Sequence, residues 1–302
     1  MLGNVMRAAI DPPRGEVSTR MADALRALQR PDKAIVVPEG ARTAADIDFW
    51  LSASNVTHWC PRLCALAVRA RRELRDPVDG QLLWTFAQGT GYHRAFQDEL
   101  LPGLGPVLQG AWERTQGDTV ERAPTPGTGP WVERGWGPRP EGMGWRFVEP
   151  KGRIPACRVV GKWDAVLGWG DVPPEVWELK SIRADLFRQV DPRAGGHPRE
   201  DHLPQVQIYL WMSGLSWARL TYVAKGEDDL VKAIAEHVIP RDEPTIRWLE
   251  DRALACVAAV EGELAGAPLP APLPEGCRIR SDKRARKCPG KALCFDARKA
   301  AA

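Results

Sequence analysis

The sequence lacks the features that would place it in a bilayer or a secretory route. No apolar run approaches the length of a membrane-spanning helix, and the N-terminal residues lack the apolar core of a secretory signal. A soluble cytoplasmic protein with reduced thiols is expected. Its seven cysteines then read as buried residues or metal ligands rather than disulfides. Histidine is scarce, at five residues, so imidazole chemistry has few places to reside. An excess of one charge is also missing. The net charge of +3 does not by itself identify a polyanionic partner, and only local clusters bear on that question. Two occur, Arg69-Ala70-Arg71-Arg72 and Lys283-Arg284-Ala285-Arg286-Lys287. Internal repeats are absent, which excludes a repeat architecture. No coiled-coil or other interface signature is visible.

What is present is an ordinary globular composition, 44% hydrophobic and 27% charged over 302 residues. That is enough chain for one elaborated domain or two small ones. The most informative stretch is Arg158 to Lys180. Two β-like runs, Val159–Gly168 and Glu175–Ser181, flank the turn-rich segment Gly170-Asp171-Val172-Pro173-Pro174 and predict a β-hairpin. Asp164 and Glu178 lie symmetrically about Asp171, so a simple register sets them nearly opposite each other. Two carboxylates opposed on one sheet face repel, and a divalent cation between them reverses that sign. Lys180, two residues beyond Glu178, falls on the same strand face. The competing reading is a solvated strand face, on which Glu-x-Lys pairs are common.

Upstream, the pattern predicts a short amphipathic helix over Glu16–Gln29 and a brief strand at Ala34–Val37. A helix from about Val56 to Leu74, capped by Asn55, would carry Cys60 and Cys64 one turn apart, with Arg62, Arg69, Arg71 and Arg72. Taken alone, these are small core residues and a wet basic face. A second helix, from a cap at Asp79 to about Leu100, carries His93, which alone would read as a hydrogen-bonded structural residue. Gly105–Glu113 is a strand candidate. Residues 117–144, rich in Gly and Pro, read as a long surface loop or lid with Trp131 and Trp136 as anchors, base stacking being the alternative role for the tryptophans. A strand at Trp145–Glu149 leads into the hairpin. Arg183 opens a polar loop, and a helix over His202–Ser213 puts Gln205 and Tyr209 on one face. A strand at Trp217–Ala224, a mixed element at Leu230–Ile239 and a charged helix at Asp242–Leu264 follow. The Pro-rich linker Pro268–Pro274 leads to a tail with Cys277, Cys288 and Cys294. Cys157 and Cys256 read as buried structural residues.

The ordered set His93, Asp164, Glu178-Leu179-Lys180 and Gln205-x-x-x-Tyr209 resembles the RecB-type branch of the PD-(D/E)XK nuclease superfamily. Within it the chain is most similar to the CRISPR-associated iron–sulfur exonucleases (the "Cas four" family) and their phage relatives. Cys60 ahead of the core, and Cys288-Pro289 followed by Cys294, carry that narrower likeness. The resemblance runs from about Asn55 to Cys294. It implies an α/β, restriction-endonuclease-like core, a mixed central sheet flanked by helices with an iron–sulfur-stapled helical and C-terminal part. The implied division is an N-terminal extension at 1–54, a nuclease core at 55–266 with a helical insertion and the 117–144 loop, and a Cys-rich tail at 267–302 that closes a cluster site with Cys60.

By the same resemblance, His93, Asp164, Glu178 and the Leu179 backbone carbonyl would ligate Mg²⁺ or Mn²⁺. Lys180 would orient or deprotonate the attacking water and stabilise charge at phosphorus, with Gln205 and Tyr209 positioning the DNA backbone or Lys180. On physical grounds alone, Gln205 and Tyr209 serve equally as core hydrogen-bond partners. A 4Fe–4S cluster would be held by Cys60, Cys277, Cys288 and Cys294, with Cys64 as an alternative ligand and zinc as an alternative metal. The chain departs from the family pattern here, because Ala285 stands where a cysteine close to Cys288 is usual. Arg62, Arg69, Arg71, Arg72 and Arg183 are the expected DNA contacts. The implied activity is a metal-dependent exonuclease acting on single-stranded or end-containing DNA in a bacterial cell or phage-infected host. A homo-oligomer or recombination- or CRISPR-type protein partners go with it, and no membrane. A non-catalytic DNA-binding or assembly subunit, and a site-specific endonuclease, are the alternatives.

Overall fold

The computed structural model describes residues 34–74, 80–123, 129–227, 229–273, 277, 279–286 and 288–295. The helix expected over Glu16–Gln29 and the cap expected at Asp79 lie outside them. In chain order the described elements are β1 (Leu51–Ser52), α1 (Pro61–Arg69), α2 (Gly80–Ala95), β2 (Leu108–Gln109), β3 (Ala111–Gln116), β4 (Thr119–Arg122) and β5 (Val132–Arg134). Next come β6 (Arg146–Val148), β7 (Lys151–Ile154), β8 (Val159–Lys162), β9 (Ala165–Leu167), β10 (Glu175–Arg183), α3 (Ala184–Phe187) and α4 (Leu203–Ser213). The chain continues through β11 (Trp217–Lys225), α5 (Leu230–Ala233), β12 (Ile234–Pro240), α6 (Glu243–Leu264), α7 (Lys283–Arg286) and α8 (Lys291–Phe295). No helix among the described residues is long and apolar enough to cross a membrane.

A five-stranded sheet, in the order β12-β11-β10-β9-β2, lies at the centre of this mixed α/β fold. β10 and β11 pair in parallel, joined through α3 and α4, and the other pairings of this sheet are antiparallel. Successive side chains of β10 enter different cores, as period-2 geometry requires. Val176 and Ile182 join the larger cluster with α4 and α6, whereas Trp177 and Leu179 join a smaller one with Leu101, Leu108 and Trp112. Glu178 and Lys180 therefore share the face that α4 covers. Every residue of α4 from Gln205 to Ser213 is buried, and its buried amides Gln205 and Gln207 are hydrogen-bonded. Truncating one of its large residues, such as Leu210, costs about 2–5 kcal/mol. The helix stops at Gly214, whose φ of 74° supplies the left-handed turn. Gly161 on β8 is required by close packing, since a Cβ there would lie 3.0 Å from the Tyr209 ring.

Several sequence expectations change in the folded chain. The helix expected from Val56 to Leu74 divides. Pro61 forces Cys60 into extended geometry (φ −134°, ψ 120°), so a 3₁₀ segment, Ala53–His58, comes before α1. α1 ends at Arg69, and Arg71 turns left-handed at φ 51°. The second expected helix is α2 followed by a π-helical turn, Phe96–Leu100. The expected loop at 117–144 contains β4, which forms a tight hairpin with the adjoining β3, and β5, which pairs with β7. Trp136 is an anchor, buried and edge-on to Trp163 at 6.0 Å. Residues expected in the N-terminal extension belong to the core, where Ala44, Ile47, Leu51 and Ala53 are buried with Val159 and Tyr209. Ala34 forms only an isolated bridge with Arg72.

Candidate metal-and-lysine centre

The expected hairpin is interrupted. Val159–Lys162 joins a second sheet as β8, and the chain turns at Trp163-Asp164 before β9 pairs with β10. The register is nevertheless the symmetric one. Ala165 opposes Trp177, Val166 opposes Val176 and Leu167 opposes Glu175, so the next step sets Asp164 against Glu178. With the strand ended, Asp164 Oδ2 accepts the Leu179 N–H at 2.7 Å. A strand residue projects its N–H and C=O from the same edge, so the Leu179 carbonyl lies on the Asp164 side.

Four predicted side chains form one buried network. Lys180 Nζ donates to Glu178 Oε1 at 2.7 Å and to Gln205 Oε1 at 2.9 Å. Gln205 Nε2 donates to Glu178 Oε1 at 3.2 Å and to the Tyr209 hydroxyl at 2.5 Å. Glu178 is only 3% exposed, which excludes the solvated-strand reading. His93, from the last turn of α2, places Nδ1 3.3 Å from Asp164 Oδ1. The structure thus assembles two adjoining pairs, His93 with Asp164 and Glu178 with Lys180, bridged by the backbone of β10.

The electrostatics follow from burial. Desolvation first, and Asp164 after it, push the Glu178 carboxyl up to about 7 against the opposing pull of Lys180. Burial pulls Lys180 down, but Glu178 and Asp164 more than offset it and its pKa lies above the ordinary lysine value. The hydrogen bond to Asp164 raises His93, and burial opposes that shift. Tyr209, fully enclosed, is raised well above the ordinary phenol by desolvation. A site whose carboxylate resists ionisation beside a second carboxylate is short of positive charge.

The oxygen and imidazole donors therefore fit a hard divalent cation in chemistry. Among the described residues, however, no three His, Cys, Asp or Glu side chains converge on one point as a ready-made metal site. Glu178 is engaged by Lys180 and Gln205 rather than turned toward His93.

Two participants were not singled out in the sequence. Gln97 Nε2 donates to Glu149 Oε1 at 2.8 Å and to Asp164 Oδ1 at 3.3 Å. Gln97 lies four residues beyond His93, one helical turn on, and that spacing was its available signal. Glu149, from the loop between β6 and β7, had none.

The cysteines separate into two groups. Cys60, Cys277, Cys288 and Cys294 line one small cavity between α1 and the tail. Burial raises the Cys60 and Cys277 thiols and pushes Cys288 up to about 11, and neighbouring thiols of the same set add to the rise in Cys277 and Cys288. Thiols of this kind suit zinc or an iron–sulfur cluster in chemistry, but among the described residues no three of them converge as a ready-made metal site. Cys64 does not belong to it. Its thiol is buried against Cys256, which with desolvation raises it well above the ordinary value. Cys157 and Cys256 are buried, as expected.

Of the arginines expected on DNA, Arg62, Arg69 and Arg183 are occupied within the protein. Arg62 turns inward and donates to Cys294 Sγ at 3.1 Å, to the Cys294 carbonyl at 3.3 Å and to the Pro270 carbonyl at 2.7 Å. It clamps the tail. Arg69 makes a two-point contact with Glu263 at 2.9 and 2.8 Å, and Arg183 does the same with Asp185 at 2.9 and 2.7 Å. Arg71 and Arg72 lie exposed beyond the end of α1. Sequence clustering did not reveal the Glu263 partner of Arg69, because it is distant in the chain.

No family model and no curated protein is similar to the chain. Among solved structures, an alkaline exonuclease from Laribacter hongkongensis is similar at 14% identity over 74% of this chain and 93% of its own, with a TM-score of 0.42. The same enzyme in complex with dAMP gives 13% identity, 74% and 94% coverage and a TM-score of 0.43. A phage-related exonuclease from Haemophilus somnus 129PT gives 13%, 81% and 94%, with a TM-score of 0.37. Likeness this loose establishes neither the fold nor the activity of this chain.

Proposed function

We propose that the chain is a divalent-metal-dependent deoxyribonuclease of the PD-(D/E)XK type, an exonuclease on single-stranded or end-containing DNA. The observation that carries this reading is the buried set in which Asp164 and Glu178 stand in register and Lys180 is held between Glu178 and Gln205. Asp164, Glu178, His93 and the Leu179 carbonyl would hold Mg²⁺ or Mn²⁺. When bound, such an ion would supply Lewis-acid chemistry, lowering the pKa of a water and offsetting charge at phosphorus.

The chain's own groups supply the rest. Lys180, kept protonated at neutral pH by its carboxylate neighbours, supports a charge-stabilising and water-orienting role rather than that of a base. Gln205, fixed by Tyr209, holds the ammonium in place. Gln97, itself held by Glu149, orients Asp164, which in turn positions His93. The tail thiols Cys60, Cys277, Cys288 and Cys294 support a 4Fe–4S cluster, or zinc, that ties the 267–302 tail to α1. The setting is DNA recombination, repair or CRISPR-like processing in the cytoplasm of a bacterial cell or phage-infected host.

The test is digestion of end-labelled and covalently closed DNA with Mg²⁺ or Mn²⁺, wild type beside Asp164→Asn. Wild type should degrade ended DNA and leave closed circles intact, and Asp164→Asn should lose at least about a hundredfold in rate. Nicked circles would indicate an endonuclease, and DNA binding without cleavage a non-catalytic subunit. Undiminished cleavage by Asp164→Asn overturns the assignment.

A further inference from the structure

Next to the centre lies a second cleft, of about 280 Å³, to which the centre's own network assigns nothing. It opens where the first turn of α4, the 3₁₀ segment Ala53–His58 and the helix α6 meet. Its walls are Trp248, Arg252, Arg284, Pro204, Glu200 and Asp201. Trp248 is 48% exposed, on the solvent side of an amphipathic helix whose opposite face, with Ile246, Leu249 and Ala253, is packed into the core. The Arg252 guanidinium lies 5.1 Å from the centroid of the Trp248 ring and donates through Nε to the Trp59 carbonyl. Arg284 reaches in from the tail and donates to the Thr57 carbonyl at 2.9 Å. On the other wall Asp201 is neutralised by a two-point pairing with Arg199 at 2.9 and 2.7 Å. Arg252 and Arg284 therefore face Glu200 as the one carboxylate on the cleft wall without an arginine partner among the described residues, leaving the balance positive.

The cleft adjoins the centre. Pro204 directly precedes Gln205 in α4, and Asp201 is near enough to Lys180 to add to its positive shift. An aromatic face, two guanidinium groups and a single carboxylate suit one kind of occupant. A nucleobase stacks on the ring, the flanking phosphates face the arginines, and an exocyclic amino group can meet Glu200. We propose that this cleft is a nucleobase-stacking subsite, centred on Trp248, for the single-stranded segment that flanks the scissile phosphate. The inference rests on the nuclease reading and adds to it the platform that holds unpaired DNA. The thiol-lined tail contributes Arg284 to this cleft.

The experiment is fluorescence anisotropy of labelled single-stranded oligonucleotides in the presence of a chelator, so that binding is read without cutting. Base–aromatic stacking predicts that Trp248→Ala weakens binding roughly five- to hundredfold. Trp248→Phe should regain most of that loss. Trp217→Ala, which removes an equally exposed tryptophan from β11, is the control and should bind like wild type. Equal affinities for Trp248→Ala and wild type, in a protein that cuts DNA when given metal, overturn the subsite and leave the nuclease reading intact. Trp248-dependent binding by a protein that never cuts leaves the subsite standing and overturns the nuclease. A wild type that neither binds nor cuts overturns both.

Discussion

Replacing Lys180 with methionine isolates the electrostatics of the centre. The stem volume is nearly kept, and only the ammonium and its hydrogen bonds to Glu178 and Gln205 are removed. The side chains of Lys180 and Glu178 are 21% and 5% exposed, so this pair belongs with buried ion pairs rather than with screened surface ones. Removing one partner of such a pair costs about 3–5 kcal/mol. The pH dependence gives a sharper signature. Glu178 already stands at about 7 in the folded chain against an ordinary 4.5, so its ionisation opposes folding. Without Lys180 its folded pKa moves higher still. A carboxyl raised on folding contributes stability that is present at low pH and lost as pH rises toward the folded pKa.

Urea unfolding in the presence of a chelator should therefore show Lys180→Met losing about 1 kcal/mol more than wild type between pH 6 and pH 8. The double variant Glu178→Gln/Lys180→Met should recover part of the loss, with a coupling of about 0.5–3 kcal/mol. If Lys180→Met unfolds like wild type at both pH values, the buried-pair reasoning is wrong.

Two further outcomes follow from neighbouring contacts. Tyr222 Oη accepts the Arg199 N–H at 3.0 Å and lies 3.0 Å from His202 Nδ1, leaving its proton for the imidazole. Burial first, and Lys180 after it, hold His202 down to about 4. Its stabilising share is present above about pH 6.5 and is lost as pH falls toward 4, about 3 kcal/mol in all. His202→Gln should shift the acid-unfolding midpoint to lower pH, and an unchanged acid limb would refute the assignment. Arg62→Ala should free the tail, raising proteolytic cleavage after residue 266 by at least about tenfold for the loss of its three hydrogen bonds, worth about 0.5–1.5 kcal/mol each. A cleavage rate equal to that of wild type would show that Arg62 does not clamp it.

The sequence by itself determined the local parts of this protein. Symmetry about Asp171 set Asp164 against Glu178, because antiparallel register follows from turn position. Period 2 put Lys180 beside Glu178, and period 3.6 put Gln205 beside Tyr209. Tertiary structure decided what these residues touch. Arg62 and Arg69 look like a basic face on α1 until Cys294, Pro270 and Glu263 come back from far along the chain to meet them. Cys60 and Cys64 differ in sequence by one turn, yet one faces the tail thiols and the other Cys256. Glu149 entered the centre through a contact with Gln97 that no spacing encodes. Local geometry repeats with the chain and can be read along it. Burial and charge pairing depend on which distant segments pack together, and only the folded chain decides that.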